Sequence, residues 1–149
     1  MNKILPIILV IVLSGCSSDT TIQITGPECD KTLPTERWNN CQASILFGTQ
    51  SLLFDTGAER YYKGEWKNGL FHGNGIFKKA IKPGRENNET DHILINEYQG
   101  QWKLGKRFGT GTEKEWSNPK TCWMKKYVGE WTDNKRNGFG TNIWPDGSK

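Results

Sequence analysis

The hydrophobic and polar positions of this chain alternate with a period of two in three short segments. In the first segment, Tyr62, Gly64 and Trp66 alternate with charged residues. Successive side chains of a β-strand point to opposite faces of a sheet, so this alternation predicts a strand with one aromatic face and one charged face. Asn68 and Gly69 follow, and this dipeptide is typical of a two-residue hairpin turn. The segment therefore predicts the first strand and turn of a β-hairpin.

The same pattern returns twice with unchanged internal spacing. Each unit contains Tyr-x-Gly-x-Trp, and a Gly-x-Gly begins 11 positions after the tyrosine. The residues of this signature are Tyr62, Gly64, Trp66, Gly73, Gly75, Tyr98, Gly100, Trp102, Gly109, Gly111, Tyr127, Gly129, Trp131, Gly138 and Gly140. Such self-similarity indicates a repeat architecture. We predict three hairpins at residues 62–77, 98–113 and 127–143, each with a return strand that begins at the Gly-x-Gly.

Aromatic rings are the predicted source of burial in these hairpins. A lone hairpin is marginally stable in water, and glycine weakens a strand. The chain is 34% hydrophobic but has 17 glycines and 7 tryptophans among its 149 residues. We therefore expect the hairpins to join in one sheet, where rings of one unit cover the glycines of another. The formal net charge of +4 and the lack of a basic run do not indicate a nucleic-acid binder.

The first fifteen residues lie outside the predicted fold. Lys3 is followed by an apolar run over residues 4–13, which is too short to span a bilayer as a helix. The sequence Leu-Ser-Gly-Cys that ends at Cys16 resembles a bacterial lipobox. That resemblance implies that residues 1–15 are a signal peptide and that Cys16 carries a lipid anchor. The alternative is an ordinary secretory signal followed by a chance cysteine.

The residues after Cys16 predict a tether and a location. Residues 16–28 are polar and lack helical periodicity, so we expect them to link the membrane to the domain. In a Gram-negative bacterium, a serine such as Ser17 after the lipidated cysteine favours transfer to the outer membrane over retention in the inner membrane. On that assumption about the source, we expect a lipid-anchored protein on the periplasmic face of the outer membrane.

Three cysteines remain beyond Cys16. Because exported proteins retain disulfides, we expect Cys29 to pair with Cys41, while Cys122 could pair with either or stay free. Residues 29–61 predict a cap followed by half of a degenerate repeat, with a strand and a turn between Phe47 and Gly57. No cysteine and histidine spacing suggests zinc, so we expect neither a metal nor another cofactor.

The three units resemble MORN repeats, whose signature is Tyr-x-Gly-x-Trp, a turn and His-Gly-x-Gly. The first unit includes the histidine, His72, whereas the second and third have Phe108 and Asn137 in that place. The resemblance covers roughly residues 40–149. It implies an all-β fold, an elongated single-layer array of antiparallel hairpins. It also implies no common catalytic residues and a role as a scaffold or interaction module.

The C-terminal sequence continues the register of the repeats up to Lys149. The next residue in that register would be the tyrosine of a further unit. We therefore expect either a truncated array, with residues 62–149 holding three units, or a fragment of a longer protein. An open edge strand at this end could pair with a second copy of the chain.

Two sets of residues are candidates for binding. The repeat tyrosines and tryptophans could stack on cell-wall glycan rings, although packing explains their spacing fully. A basic edge at the hairpin tips could meet lipid phosphates, although such residues are also ordinary in turns. This possible anion-binding edge comprises Lys67, Lys106, Arg107, Lys135 and Arg136.

Catalysis is not expected from this sequence. His72 is the best acid–base candidate, but no nucleophile lies near it in sequence, and His92 lies in a polar linker. The most consistent function is a non-enzymatic scaffold, held at the membrane by its lipid and bound to a protein partner. The alternatives are a module that binds anionic lipid or cell-wall glycan, and the N-terminal part of a longer protein.

Overall fold

The computed structural model describes residues 22–48, 59–81, 94–116 and 123–149. These residues form one open, seven-stranded antiparallel sheet whose strands follow one another in chain order. The strands are β1 (Cys41–Gly48), β2 (Glu59–Lys67), β3 (Leu70–Ile81), β4 (Leu94–Lys103), β5 (Lys106–Trp116), β6 (Lys125–Thr132) and β7 (Lys135–Ile143). The only helical element in these ranges is one 3₁₀ turn, Thr35–Arg37. The predicted all-β array of hairpins is confirmed.

Among the described residues, none belongs to a helix with the length and apolar character needed to cross a bilayer.

The first hairpin turns at the predicted Asn68 and Gly69, and the other two turn at the corresponding positions of their units. Both residues of each turn have positive φ, as the twist of a two-residue hairpin requires. The turn residues are Asn68 (51°), Gly69 (72°), Leu104 (50°), Gly105 (77°), Asp133 (50°) and Asn134 (68°). Glycine and asparagine adopt this conformation at little cost, so leucine at the first position of the second turn is the exception.

The first glycine of each Gly-x-Gly forms a bulge in its return strand. Gly73, Gly109 and Gly138 have φ of 55°, 63° and 71°, and the register of each hairpin shifts beside them. A bulge residue in the left-handed region is glycine because a side chain would be strained there. The return strands therefore begin at the turns, three residues before the glycine at which we predicted them to start.

The second glycine of each Gly-x-Gly makes room for a tyrosine. Gly75 lies opposite Gly64, and a Cβ on Gly75 would lie 2.6 Å from a ring carbon of Tyr62. The other two hairpins repeat this arrangement with Tyr98 and Tyr127. Each ring therefore covers the two facing glycines of its own hairpin. Our prediction that it covers those of another unit is wrong, because the ring lies along the strand that carries it.

The tyrosine hydroxyls are satisfied within the same hairpins. Each donates a hydrogen bond to the carbonyl three residues later: Tyr62 to Glu65 at 3.0 Å and Tyr98 to Gln101 at 3.0 Å. Burial raises the pKa of both Tyr62 and Tyr98. Both hydroxyls therefore stay protonated and remain donors at neutral pH.

The tryptophans join one hairpin to the next. Trp102 packs edge-on against Tyr62 of the preceding hairpin, with ring centroids 5.6 Å apart, and Trp131 does the same with Tyr98 at 5.2 Å. The Trp102 Nε1–H donates to the Gly75 carbonyl at 3.2 Å. Each tryptophan therefore completes the burial of the preceding unit's tyrosine, and the units stabilise one another.

An N-terminal cap takes the place of a preceding hairpin. Trp38 packs edge-on against Trp66 at 5.1 Å. The Trp38 carbonyl accepts the Gly69 N–H at 2.8 Å, as the Phe71 carbonyl accepts the Gly105 N–H at 2.9 Å one hairpin later. Cys29 and Cys41 are joined by a disulfide that closes the base of this cap.

Strand β1 acts as the second strand of a degenerate repeat. Ala43 lies opposite Gly64 of the following strand, just as Gly75 lies opposite Gly100 one hairpin later. The strand begins at Cys41, ahead of the Phe47 at which we expected it, because it continues directly from the disulfide and the cap. The turn expected by Gly57 lies outside the described residues.

Residues 22–28, which we call the strap, cross one face of the sheet. The Gln42 amide donates to the Gly26 carbonyl at 2.8 Å, and the Asn74 amide donates to the Gln23 carbonyl at 2.8 Å. We expected a tether over residues 16–28. Its described part instead hydrogen-bonds to the sheet, because the carbonyls of an extended segment can accept side-chain amides of β1 and β3.

We expect Gly111→Ala to lower the free energy of unfolding by about 1–3 kcal/mol, because the added methyl overpacks against the Tyr98 ring. Gly147→Ala is the control. Gly147, unlike Gly111, has a positive φ of 84°, and no atom lies within 4 Å of the added methyl, so this variant carries only a backbone cost. Urea unfolding of both variants measures the difference. Equal losses would contradict the close contact between ring and glycine.

Candidate interaction surface

The sheet has two faces of different character. The aromatic face carries the repeat tyrosines and tryptophans, and the strap face carries the strap. The aromatic-face rings are between 0% and 6% exposed, and they are Tyr62, Trp66, Tyr98, Trp102, Tyr127 and Trp131. Rings this deeply buried offer no flat surface to a sugar, so the structure uses them as a core and not as an exposed glycan-stacking platform.

One position in each hairpin places a side chain over the tyrosine. This residue lies opposite the tryptophan and is Phe71, Arg107 or Arg136. Phe71 stacks on Tyr62 with ring centroids 3.7 Å apart. The guanidinium carbon of Arg107 lies 5.4 Å from the Tyr98 ring centroid and 4.3 Å from that of Trp131. Arg136 lies 4.3 Å from the Tyr127 centroid.

Glu113 holds the two arginines in place. Arg107 Nη1 lies 2.6 Å from Glu113 Oε1, and Arg136 Nη2 lies 2.7 Å from Glu113 Oε2. Glu113 is 9% exposed. Burial alone would raise the pKa of its carboxyl group, but hydrogen bonds from Arg136 and Arg107 and their positive charges outweigh burial and lower the pKa below 4.5. One carboxylate therefore pairs with the arginines of two successive hairpins, and the three side chains together keep one positive charge.

The expected basic edge divides into three kinds of residue. Arg107 and Arg136 lie on aromatic rings and pair with Glu113, as described above. Lys106 Nζ lies 3.0 Å from Asp133 Oδ1 at the next tip. Lys67 and Lys135 are exposed. The five cations therefore do not form one free row, because strand alternation turns the arginines onto the aromatic face.

A hollow of about 340 Å³ opens on the aromatic face between the first and third hairpins. Its floor includes Phe77, Tyr98 and Trp102, and polar groups border it. The bordering residues include Lys79, Asn96, Arg107 and Asn134. Concave sites with an apolar floor and a few polar groups are typical of binding sites. The hollow suits an apolar side chain followed by a hydrogen-bond acceptor.

The remaining candidate residues contribute less to this surface. His72 is partly buried, and its Nδ1 atom has no hydrogen-bond partner among the described residues. In those residues, no group of three or more histidine, cysteine or acidic side chains is placed to hold a metal ion. His92, Cys16 and Cys122 lie outside the residues that the structure describes.

Sequence reasoning missed the residues that stabilise the bulges. Gln101 Oε1 accepts the Thr110 N–H at 2.9 Å, and Glu130 Oε2 accepts the Phe139 N–H at 3.0 Å. Each acceptor directly precedes the repeat tryptophan and lies over the bulge glycine. The signal was the recurrence of glutamate or glutamine at this position, on the strand face that the alternation predicted to be charged.

We expect Glu113→Gln to destabilise the protein by about 1–3 kcal/mol at neutral pH, because two arginines lose their carboxylate. The carboxyl pKa is lower in the folded than in the unfolded state, so its contribution is present above the unfolded pKa and is lost as the pH falls through the folded pKa. The difference between wild type and variant should therefore shrink below about pH 4. Urea unfolding across pH measures it. Glu115→Gln, on the same strand, is the control, and a difference independent of pH would contradict the role of the charge.

Comparison with known proteins agrees with this geometry. A family model for the MORN repeat matches residues 62–81, 98–114 and 127–149, which contain the three hairpins. The MORN repeat-containing protein 3 of Xenopus laevis is 32% identical to this chain over 87 residues. The match covers 56% of this chain and 30% of that relative, so the chain spans less than a third of the relative's length. By its signature, its hairpins and these matches, the chain belongs among proteins that carry MORN repeats.

Proposed function

We propose that this chain is a lipid-anchored, non-enzymatic scaffold of the bacterial envelope, in which the MORN repeats bind a protein partner. MORN repeats are in general modules for interaction with proteins or lipids. The single observation that carries the choice of a protein partner is the hollow on the aromatic face, where an apolar floor is bordered by two cations and two amides. Such a mixture suits a peptide segment better than a lipid headgroup.

The anchor in this proposal is Cys16. It follows an apolar run with a basic start and ends the sequence Leu-Ser-Gly-Cys, which supports lipid attachment there. Two or more acyl chains hold a protein stably at a membrane, since each buried methylene contributes about 0.8 kcal/mol. Ser17 supports the outer membrane as the destination if the source is Gram-negative.

The second candidate function is binding of an anionic ligand, either lipid phosphate or cell-wall material, at the hairpin tips. Lys67 and Lys135 are exposed there and support it. The pairing of Lys106 with Asp133 and of both arginines with Glu113 weighs against it, because a cation already held by a carboxylate attracts another anion less strongly. A third candidate is that the chain is the N-terminal part of a longer protein whose activity lies outside these repeats. The relative's greater length supports it.

We expect Cys16→Ser to move the protein from the membrane fraction to the soluble fraction, because the acyl chains are lost. Intact mass of the purified wild type should show the acyl groups on the processed chain. The matched control is Ser17→Ala, which leaves the cysteine in place. Equal membrane retention of Cys16→Ser and wild type would contradict the anchor.

We expect a photocrosslinking residue at Lys79, which borders the hollow, to capture a protein of defined mass in envelope preparations. The neighbouring Lys78 is the control, because strand alternation turns it to the strap face. Capture from both positions alike would contradict binding at the hollow. Capture of lipid or cell-wall material in place of a protein, lost at high salt and in the double variant Lys67→Gln, Lys135→Gln, would favour the anionic ligand instead.

A further inference from the structure

The strap fixes where the N-terminal part of the chain meets the sheet. Glu28 bridges to Gln42 on β1, and the Thr25 N–H donates to Glu65 Oε1 on β2 at 3.5 Å. Beyond Gln23, which accepts from Asn74 on β3, the strap reaches Ile22. It therefore crosses the sheet on one face, from β1 toward the third hairpin.

Ile22 lies at an apolar surface of the third hairpin. Together with Val128 and Phe139 it lines a hollow of about 430 Å³ that spans β4 to β7 on the strap face. Phe139 is 88% exposed, and Val128 is also exposed. We call Ile22, Val128 and Phe139 the apolar patch. A patch of this kind marks a contact surface, since isolated apolar residues are common on proteins but adjacent ones are less so.

The charges around the apolar patch suit an anionic layer. Lys126 lies on the strap face of β6, next but one to Val128. Nearer the hairpin tips on the same face, Lys103 Nζ lies 4.8 Å from the ring centroid of the exposed Phe108. Glu130 is also on this face, but its carboxylate accepts the Phe139 N–H. Aromatic and aliphatic side chains flanked by lysines are typical of surfaces that rest at the boundary between headgroups and acyl chains.

On its aromatic face, β7 carries polar side chains in place of the exposed Phe139 on its strap face. On β7, Arg136 and Asn142 lie on the aromatic face, and Arg136 Nη1 donates to Asn142 Oδ1 at 3.1 Å. The third hairpin therefore presents polar groups on its aromatic face and apolar groups on its strap face.

The distance from Ile22 to the anchor is short. Five residues lie between Cys16 and Ile22, so six residue steps join them, and an extended chain spans at most about 3.3–3.6 Å per residue. An acylated Cys16 must then lie within about 22 Å of Ile22, at the apolar patch. We propose that the strap face of the third hairpin rests on the bilayer surface through the apolar patch, and that the aromatic face with its hollow is turned away, toward the partner. This inference rests on the proposed lipid anchor at Cys16.

Photocrosslinking to lipid tests this orientation. The acylated protein is reconstituted in vesicles of phosphatidylethanolamine and phosphatidylglycerol, with p-benzoyl-phenylalanine in place of Phe139 or, as the matched control, Asn142. Both positions are exposed and lie on β7, so neither replacement removes a core residue. We expect crosslinking to lipid to be about fivefold or more stronger at position 139 than at 142.

The outcomes separate the inference from the function on which it rests. Intact mass of the same samples reports whether Cys16 is acylated. An acylated protein with equal crosslinking at the two positions, or stronger crosslinking at 142, overturns the orientation alone. Absence of acyl groups overturns the anchor, and the orientation with it.

Discussion

Every hairpin of this protein depends on a tyrosine ring laid against two facing glycines. A single sheet has no second layer to bury its side chains, so the ring must find apolar contact on the sheet itself. Gly64 and Gly75 provide the space for Tyr62 because neither carries a Cβ. The hydroxyl then reaches the Glu65 carbonyl, which fixes the ring along its strand. The hairpin thereby gains a core within one layer, at the sites where glycine would otherwise weaken it.

The same constraint gives the two faces their different roles. Because the rings occupy one face, the side chains that cover them determine what that face can bind. Phe71 covers the first tyrosine, whereas Arg107 and Arg136 cover the second and third. Where Arg107 takes the position that Phe71 holds one hairpin earlier, a hollow with an apolar floor and a polar border lies between the two side chains. The other face carries no ring core, and the strap and the apolar patch lie on it.

The sequence predicts much of this fold because its signals are local. Glycine-containing or asparagine-containing turns, period-two alternation and a constant spacing of 11 positions suffice to place three hairpins in one sheet. The role of Gly109 as a bulge was not predicted, because sequence alone does not separate a glycine needed for positive φ from one needed for space. Gly111, two residues later, has the second role.

The contacts of the candidate surface were harder to predict for a related reason. Glu113 lies in a run of charged residues, and its two arginines are 6 and 23 positions away. Glu113 meets Arg136 only because of the register of β5 against β6 and of β6 against β7, which no local sequence pattern specifies. The strap is a similar case. The sequence of a polar segment does not show which of its backbone carbonyls will accept hydrogen bonds from side-chain amides of β1 and β3.

The first and second hairpins are each completed by the tryptophan of the next hairpin. The most direct test is amide hydrogen exchange in the variant Trp131→Leu, compared with wild type. We expect the amides of β4 and β5, around Tyr98 and Gly111, to lose protection from exchange, as well as those of the hairpin that carries the substitution. A loss confined to β6 and β7 would show that the hairpins are stabilised independently and would contradict the claim.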